Sequence, residues 1–361
     1  MIIISTILAG IIVFAGVLLL CSPGKPRPIL DKNGQPLSGS ISEKIFININ
    51  GVKQGMFIII KDKTKPVLLF LHGGPGMPEY FLTKRYPTGL EDYFTVCWWE
   101  QRGSGLSYSP DIPKDTMTVE QLISDTVQVT HYLRKRFGKA KIYLMGHSGG
   151  SFIGIQTAAK APQLYHAYIG VAQMSYQLKS EQLAYDYMLQ QFKKNGNIKM
   201  VKKLEKAPPT LTAPLPASYL ALRDEAMHRL GIGTTRDMKS VITGIFLPSW
   251  LSRDYTFGEK LNIWRGKFFS MGLLRDKMFA TDLTQQVTQL NLPVYFLHGI
   301  HDYTISYPET KSYFEKLNAP LKGFYTFEQS AHSPMFEEPE KIHQILKEDI
   351  LTGTNSLADL K

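Results

Sequence analysis

Short apolar runs alternate along this chain with stretches whose apolar positions recur every three or four residues. Ile41 to Lys61 reads as a β-hairpin: IFININ alternates apolar and polar, Asn50-Gly51 is a turn signal, and MFIII returns. Continuous apolar runs follow at VLLFL (Val67–Leu71), FTVCWW (Phe94–Trp99), KIYLM (Lys141–Met145) and HAYIGVAQ (His166–Gln173). Between the second and third, the spacing predicts a helix with Leu122, Ile123, Val127, Thr130, Leu133 and Phe137 on one face. Thr118 is its expected N-cap, with Gln121 three residues on in a capping-box pattern, and Gly138 its stop. Strands that are apolar throughout, separated by helices, predict a mostly parallel sheet covered on both faces.

The rhythm changes near Ser175. Residues 176–286 read as amphipathic helix and Pro-rich connection, including APPTLTAPLP (Ala207–Pro216), without a buried strand. Strand-like runs return at LPVYFLHG (Leu292–Gly299) and GFYTF (Gly323–Phe327). The expected organisation is a core in two parts, 41–175 and 287–361, with a helical cap at 176–286 inserted between them. Such a cap would lie over the C-terminal edge of the sheet, where open α/β sheets place their sites.

Residues 1–21 open the chain differently. Met1 to Leu20 carries no charged side chain, and as a helix it would span roughly 30 Å, about one hydrocarbon core. No Lys or Arg precedes it, which argues against a cleaved signal peptide, although secretion after cleavage is the alternative. The expectation is a single-pass transmembrane anchor followed by a Pro/Gly-rich linker at 22–40. Lys25, Arg27 and Lys32 beyond the segment place the large domain on the cytoplasmic side. The net charge of +10 suits attraction to an anionic leaflet. The basic residues are scattered and not interleaved with aromatics, so no nucleic-acid surface is expected. Two cysteines form neither a disulfide framework nor a zinc spacing, and no metal or organic cofactor is implied.

The chemistry concentrates at KIYLMGHSGGS. Gly146-His147-Ser148-Gly149-Gly150 matches G-x-S-x-G between an expected strand and an expected helix, the setting of a nucleophile elbow. A serine hydroxyl needs a base, and the base an orienting carboxylate, each following a later strand. LPVYFLHGIHD ends in Asp302, and GFYTFEQSAHSP places His332 after the next strand. Ser148, Asp302 and His332 are therefore the candidate triad. His147, His298 and His301 read as structural. Two N–H donors are needed for the tetrahedral oxyanion. Gly149, next after the serine, supplies one, and the loop His72-Gly73-Gly74-Pro75-Gly76 is expected to supply the other.

Taken together, HGGPG, EQRGSGLS, GHSGGS, GIHD and SAHSP resemble the prolyl iminopeptidase (proline aminopeptidase) branch of the α/β-hydrolase fold, over roughly Ile41 to Ser175 and Leu292 to Ile350. The resemblance implies an oxyanion hole at Gly74 and Gly149, and a serine hydrolase acting on N-terminal residues of small peptides through an acyl-enzyme. The chain departs from the family's usual pattern at Gly149, where a tryptophan is usual, and at Glu100, where aspartate is usual; Glu100 and Arg102 read as structural. An aminopeptidase needs a carboxylate facing the serine to hold the substrate's ammonium. The cap offers Glu181, Asp186, Asp224, Glu225, Asp254 and Glu259, and sequence does not choose among them. If none faces the serine, a carboxylesterase or amidase on small acyl substrates is the better reading. A non-catalytic receptor would be expected to have lost a triad member.

Overall fold

The first hairpin forms as its alternation demands. Strands β1 (Ile41–Ile49) and β2 (Val52–Ile60) pair antiparallel, with Ile49 opposite Val52. Asn50 and Gly51 both take positive φ, the backbone that a two-residue turn of the primed type needs to match strand twist. The computed structural model describes Gly16, Leu19, Leu20 and residues 22–361. The expected membrane segment lies, those three residues apart, outside the described residues. Among the described residues no helix is long and apolar enough to cross a membrane.

Strand β2 continues antiparallel onto β4 (Thr95–Trp99), and from there the sheet is parallel. The remaining strands are β3 (Val67–Leu71), β5 (Ile142–His147), β6 (Tyr165–Val171), β7 (Val294–Gly299) and β8 (Lys322–Phe327). Their order is β1-β2-β4-β3-β5-β6-β7-β8. This is the α/β-hydrolase architecture: a mostly parallel eight-stranded sheet flanked by helices. Because side chains alternate faces, β3 divides its residues between two cores: Val67, Leu69 and Leu71 pack on one side, Leu68 and Phe70 on the other. Both faces are dry, which is why these strands carry no polar alternation.

Helix α1 (Val119–Phe137) covers the first face. Thr118 caps it, accepting the Gln121 N–H, and Gly138 ends it at φ 61°. The reciprocal half of the expected capping box is not made, because the Gln121 side chain donates to Asp125 instead (2.7 Å). That exchange serves a buried charge: Asp125 binds the Arg102 guanidinium through both oxygens (2.7 and 3.1 Å) and also accepts from Asn50 and Gln54. Helix α2 (Gly149–Lys160) follows β5 directly.

Between β6 and β7 the chain is helical: α3 (Gln177–Lys194), α4 (Ile198–Glu205), α5 (Ala217–Leu230), α6 (Leu247–Leu251), α7 (Phe257–Ala280) and α8 (Leu283–Gln286). Helices α3 to α5 share a core of their own around Tyr185, Met188, Leu204, Tyr219 and Met227. Helix α7, opened by a complete capping box of Thr256 and Glu259, leans instead on the main body. Its buried Gly266 admits the Gly103-Ser104 backbone, and Ser270 donates to the Gly103 carbonyl (3.0 Å). Helices α9 (Tyr307–Lys316), α10 (Pro334–Glu337) and α11 (Pro339–Ile345) complete the chain's regular structure beyond β7.

Candidate active site

The turn from β5 into α2 is as tight as its glycines imply. Ser148 sits at φ 54°, ψ −125°, a strained backbone for a residue with a side chain. A Cβ on Gly150 would lie 2.1 Å from the Leu71 carbonyl, and one on Gly146 would lie 2.6 Å from the Gly150 carbonyl. The flanking glycines therefore answer to closeness: strand and helix backbones touch where a methyl group would stand. The strain is held by neighbours. The Ser148 N–H donates to the Val171 carbonyl (3.0 Å), while the buried Ser151 hydroxyl donates to the Ser148 carbonyl (2.6 Å) and accepts from the Met174 N–H (2.9 Å).

Asp302 and His332 come from the loops after β7 and β8, 30 residues apart. His332 Nδ1 donates to Asp302 Oδ2 at 2.9 Å, with Asp302 fully buried. The other Asp302 oxygen accepts the Thr304 and Ile305 N–H groups (2.8 and 2.9 Å), and His298 Nε2 lies 3.2 Å from Oδ2. Burial disfavours the carboxylate, but the His332 charge and the hydrogen bonds from His298 and His332 outweigh it and hold the Asp302 pKa well below the ordinary range. For His332 the balance tips the other way. Burial dominates and depresses its pKa below 6.5, against the pull of Asp302. Ser148 and His332 line the same cavity of about 380 Å³. No hydrogen bond joins their side chains in this structure.

Gly74 and Gly149 also meet. A Cβ on Gly149 would lie 2.7 Å from the Gly74 carbonyl and 3.3 Å from its nitrogen, and Gly74 itself takes φ 115°. Among the described residues, neither the Gly74 nor the Gly149 N–H donates to another group of the chain. His72, the first residue of the same loop, is spent on scaffolding: Nδ1 donates to the Gly73 carbonyl and Nε2 accepts the Gln101 N–H (2.9 and 3.1 Å).

Two carboxylates at the site escaped the sequence reading. Glu79, six residues after Gly73, accepts the Gly73 N–H (2.7 Å) and offers both oxygens to His147 Nδ1 (2.9 and 3.0 Å). His147 Nε2 donates to the His332 carbonyl (2.9 Å). Both ring nitrogens of His147 thus face acceptors, so the ring is an imidazolium. Burial opposes that charge, but the Glu79 carboxylate outweighs it and raises the His147 pKa. The pair ties together the Gly-rich loop, the elbow and the His332 loop. Glu337 at the end of α10 accepts the Ala331 and Ser333 N–H groups on either side of His332, and that of Arg236; burial pushes its pKa up to about 7. Neither carboxylate carries a motif of its own; only the fold makes them neighbours of the serine.

Of the six cap carboxylates, only Asp224 lines the cavity. Glu181 is buried against Arg223 and Tyr219. Asp186 accepts from Gln182, Glu225 pairs with Arg229, Asp254 binds Ser252 and the Arg27 N–H, and Glu259 pairs with Lys44. Glu100, buried and pushed up to about 8, accepts the Leu106 N–H and the Tyr255 hydroxyl, and Arg102 binds Asp125; both stand away from the cavity. His298 serves Asp302, and His147 lies on the cavity wall.

The chain is similar to proteins of known family. The family model "Serine aminopeptidase, S33" matches residues 90–339. A probable aminopeptidase of Bacillus subtilis, YbaC, is 33% identical over 306 residues, covering 84% of this chain and 95% of that protein. A proline iminopeptidase of Saccharolobus solfataricus is 26% identical over 290 residues, 78% of this chain and 84% of the other. Among solved structures, a proline iminopeptidase-related protein from Thermus thermophilus superposes with a TM-score of 0.56 at 20% identity, over 86% of this chain and 98% of the other, which speaks for a shared fold.

Proposed function

The chain belongs to the serine aminopeptidase family S33 and is a serine hydrolase of the α/β-hydrolase fold, and on that footing we propose that it removes N-terminal residues from short peptides through an acyl-enzyme on Ser148. His332 Nε2 takes the Ser148 proton as Oγ attacks the carbonyl and returns it to the leaving amine; a water then repeats the sequence. Asp302 holds the Nδ1–H tautomer and stabilises the imidazolium as it forms. The Gly74 and Gly149 N–H groups receive the oxyanion. Asp224 on α5 holds the substrate's ammonium. The observation that carries this reading is the Asp302–His332 pair set on one cavity with a serine in elbow geometry. Turnover of p-nitrophenyl acetate by the wild type and its loss in Ser148→Ala test the nucleophile. Aminoacyl-naphthylamides with free and acetylated amines test the peptidase assignment: a preference for the free amine that Asp224→Asn abolishes is the expected result, and equal rates would refute it.

A second reading, an ester or amide hydrolase for small acyl substrates, draws on two observations. Asp224 already pairs with Arg223 (2.8 Å), and much of the cavity wall is apolar, including Met77, Leu82, Met174, Leu220 and Ile245. The same naphthylamide comparison separates the two. We also propose that residues 1–21 anchor the enzyme to a membrane with its catalytic domain on the cytoplasmic side; release of the protein by high salt without detergent would overturn this.

A further inference from the structure

Helix α7 presents two different faces. Gly266, Ser270, Leu274 and Met278, spaced by four, are buried. The stripe one residue on, Lys267, Met271 and Arg275, lines the catalytic cavity. The two cations are eight residues apart, roughly 12 Å along the helix.

The charges around the cavity are unequally matched. Glu79 is neutralised by His147. Arg223 is balanced by two carboxylates, donating to Glu181 and Asp224 as well as to the Thr304 carbonyl. Arg275 reaches Asp276 through Nε alone (3.1 Å). Among the described residues Lys267 has no ion pair and no hydrogen bond; its ammonium lies 5.1 Å from the centre of the Trp264 ring. Burial depresses its pKa, against the distant pull of Asp224. A partly desolvated cation without a carboxylate, on the wall of a catalytic cavity, is a receptor for an anion.

We propose that Lys267, with Arg275 farther along α7, binds a carboxylate of the substrate at the cap side of the cavity, so that the preferred substrates are short peptides with a free C-terminal carboxylate. This rests on the peptidase reading above. A cavity of about 380 Å³ suits a ligand of two or three small residues. Asp224 and Lys267, both on the cavity wall, then offer opposite charges to a zwitterion, and the apolar residues of that wall accommodate small side chains.

Competition against p-nitrophenyl acetate turnover by the full chain tests this. Trialanine and trialaninamide share the same amine and differ in the carboxylate. The wild type should be inhibited about tenfold more tightly by trialanine, the scale of one charge-assisted hydrogen bond. That ratio should fall towards one in Lys267→Gln and persist in Lys267→Arg. Equal inhibition by the two ligands in the wild type overturns the proposal, as does a ratio unchanged in Lys267→Gln. Because the readout is competition, it holds whether or not trialanine is cleaved; absence of cleavage would count against the peptidase reading alone.

Discussion

Glu79→Gln probes the effect of one buried ion pair on His332, the proposed general base. In the wild type, His147 is an imidazolium between Glu79 and the His332 carbonyl, with its ring centre 4.9 Å from that of His332. Its charge is one of the causes that lower the His332 pKa. A glutamine keeps every hydrogen bond: Oε1 accepts the Gly73 N–H, and the amide nitrogen donates to His147 Nδ1. The ring then needs one proton, on Nε2, and becomes neutral. Two unit charges at this separation interact by about 3 kcal/mol at an effective dielectric of about 20. The simultaneous loss of the more distant Glu79 carboxylate offsets part of that, and the cavity's opening to solvent weakens it further, so the net effect at His332 is an upward shift of its pKa. A general base must be neutral, so if His332 acts as proposed the acid limb of kcat/KM, expected below pH 6.5 in the wild type, should move up. The assay is kcat/KM for p-nitrophenyl acetate from about pH 4 to 9, with a urea melt to show that the variant remains folded. A folded Glu79→Gln enzyme whose acid limb stays in place, or moves down, would refute the electrostatic link. His147→Ala should behave differently: it strands the Glu79 carboxylate in the interior and should cost about 3–5 kcal/mol of stability.

Asp302→Asn should lower kcat by about 10⁴, since the amide can no longer hold the Nδ1–H tautomer of His332; a loss under tenfold would mean that another group orients the ring. Gly150→Ala places a methyl carbon against the Leu71 and His72 carbonyls, which cannot retreat without moving β3, so destabilisation of about 3 kcal/mol or more is expected in urea melts. Glu100, raised from 4.5 to about 8 by burial, contributes stability that is present below pH 4.5 and lost as pH rises through 8. Glu100→Gln should therefore flatten the decline in stability across that window, and an unchanged slope of unfolding free energy against pH would show that Glu100 is ionised in the folded protein.

The central parallel strands were legible because VLLFL, VCWW and IYLM are apolar throughout, as a parallel sheet with two dry faces requires, and the hairpin was legible from its alternation and its Asn50-Gly51 turn. The elbow was legible because its glycines cluster around one serine between a strand and a helix; only Gly146 answers to a contact within five residues, against Gly150, whereas Gly150 and Gly149 answer to Leu71 and Gly74. Thr118 announced a cap, but the fate of Gln121 did not follow from the pattern, since its partner Asp125 is committed to Arg102, Asn50 and Gln54 from other elements. The six cap carboxylates looked alike in sequence for a related reason. Each sits on or beside an amphipathic helix, and what separates Asp224 from Glu181 is which side of Arg223 it approaches, a property of how α3 and α5 pack.

Glu79 shows where local reading ends. Nothing near it in sequence marks it: it follows Met77-Pro78 in a loop and belongs to no helix or strand pattern. Its partner His147 is 68 residues away, and the carbonyl that His147 holds belongs to a residue 185 positions from that histidine. A carboxylate beside a catalytic base would ordinarily raise the base's pKa and weaken its hold on the neutral form. Here the histidine between them reverses the sign, because Glu79 stabilises a cation and the cation is what His332 faces. The pair carries no net charge, yet it presents its positive end to the base and its negative end to the Gly73 N–H. What an isolated histidine before the nucleophile cannot do, remain protonated while buried, it does through a residue that the motif does not contain.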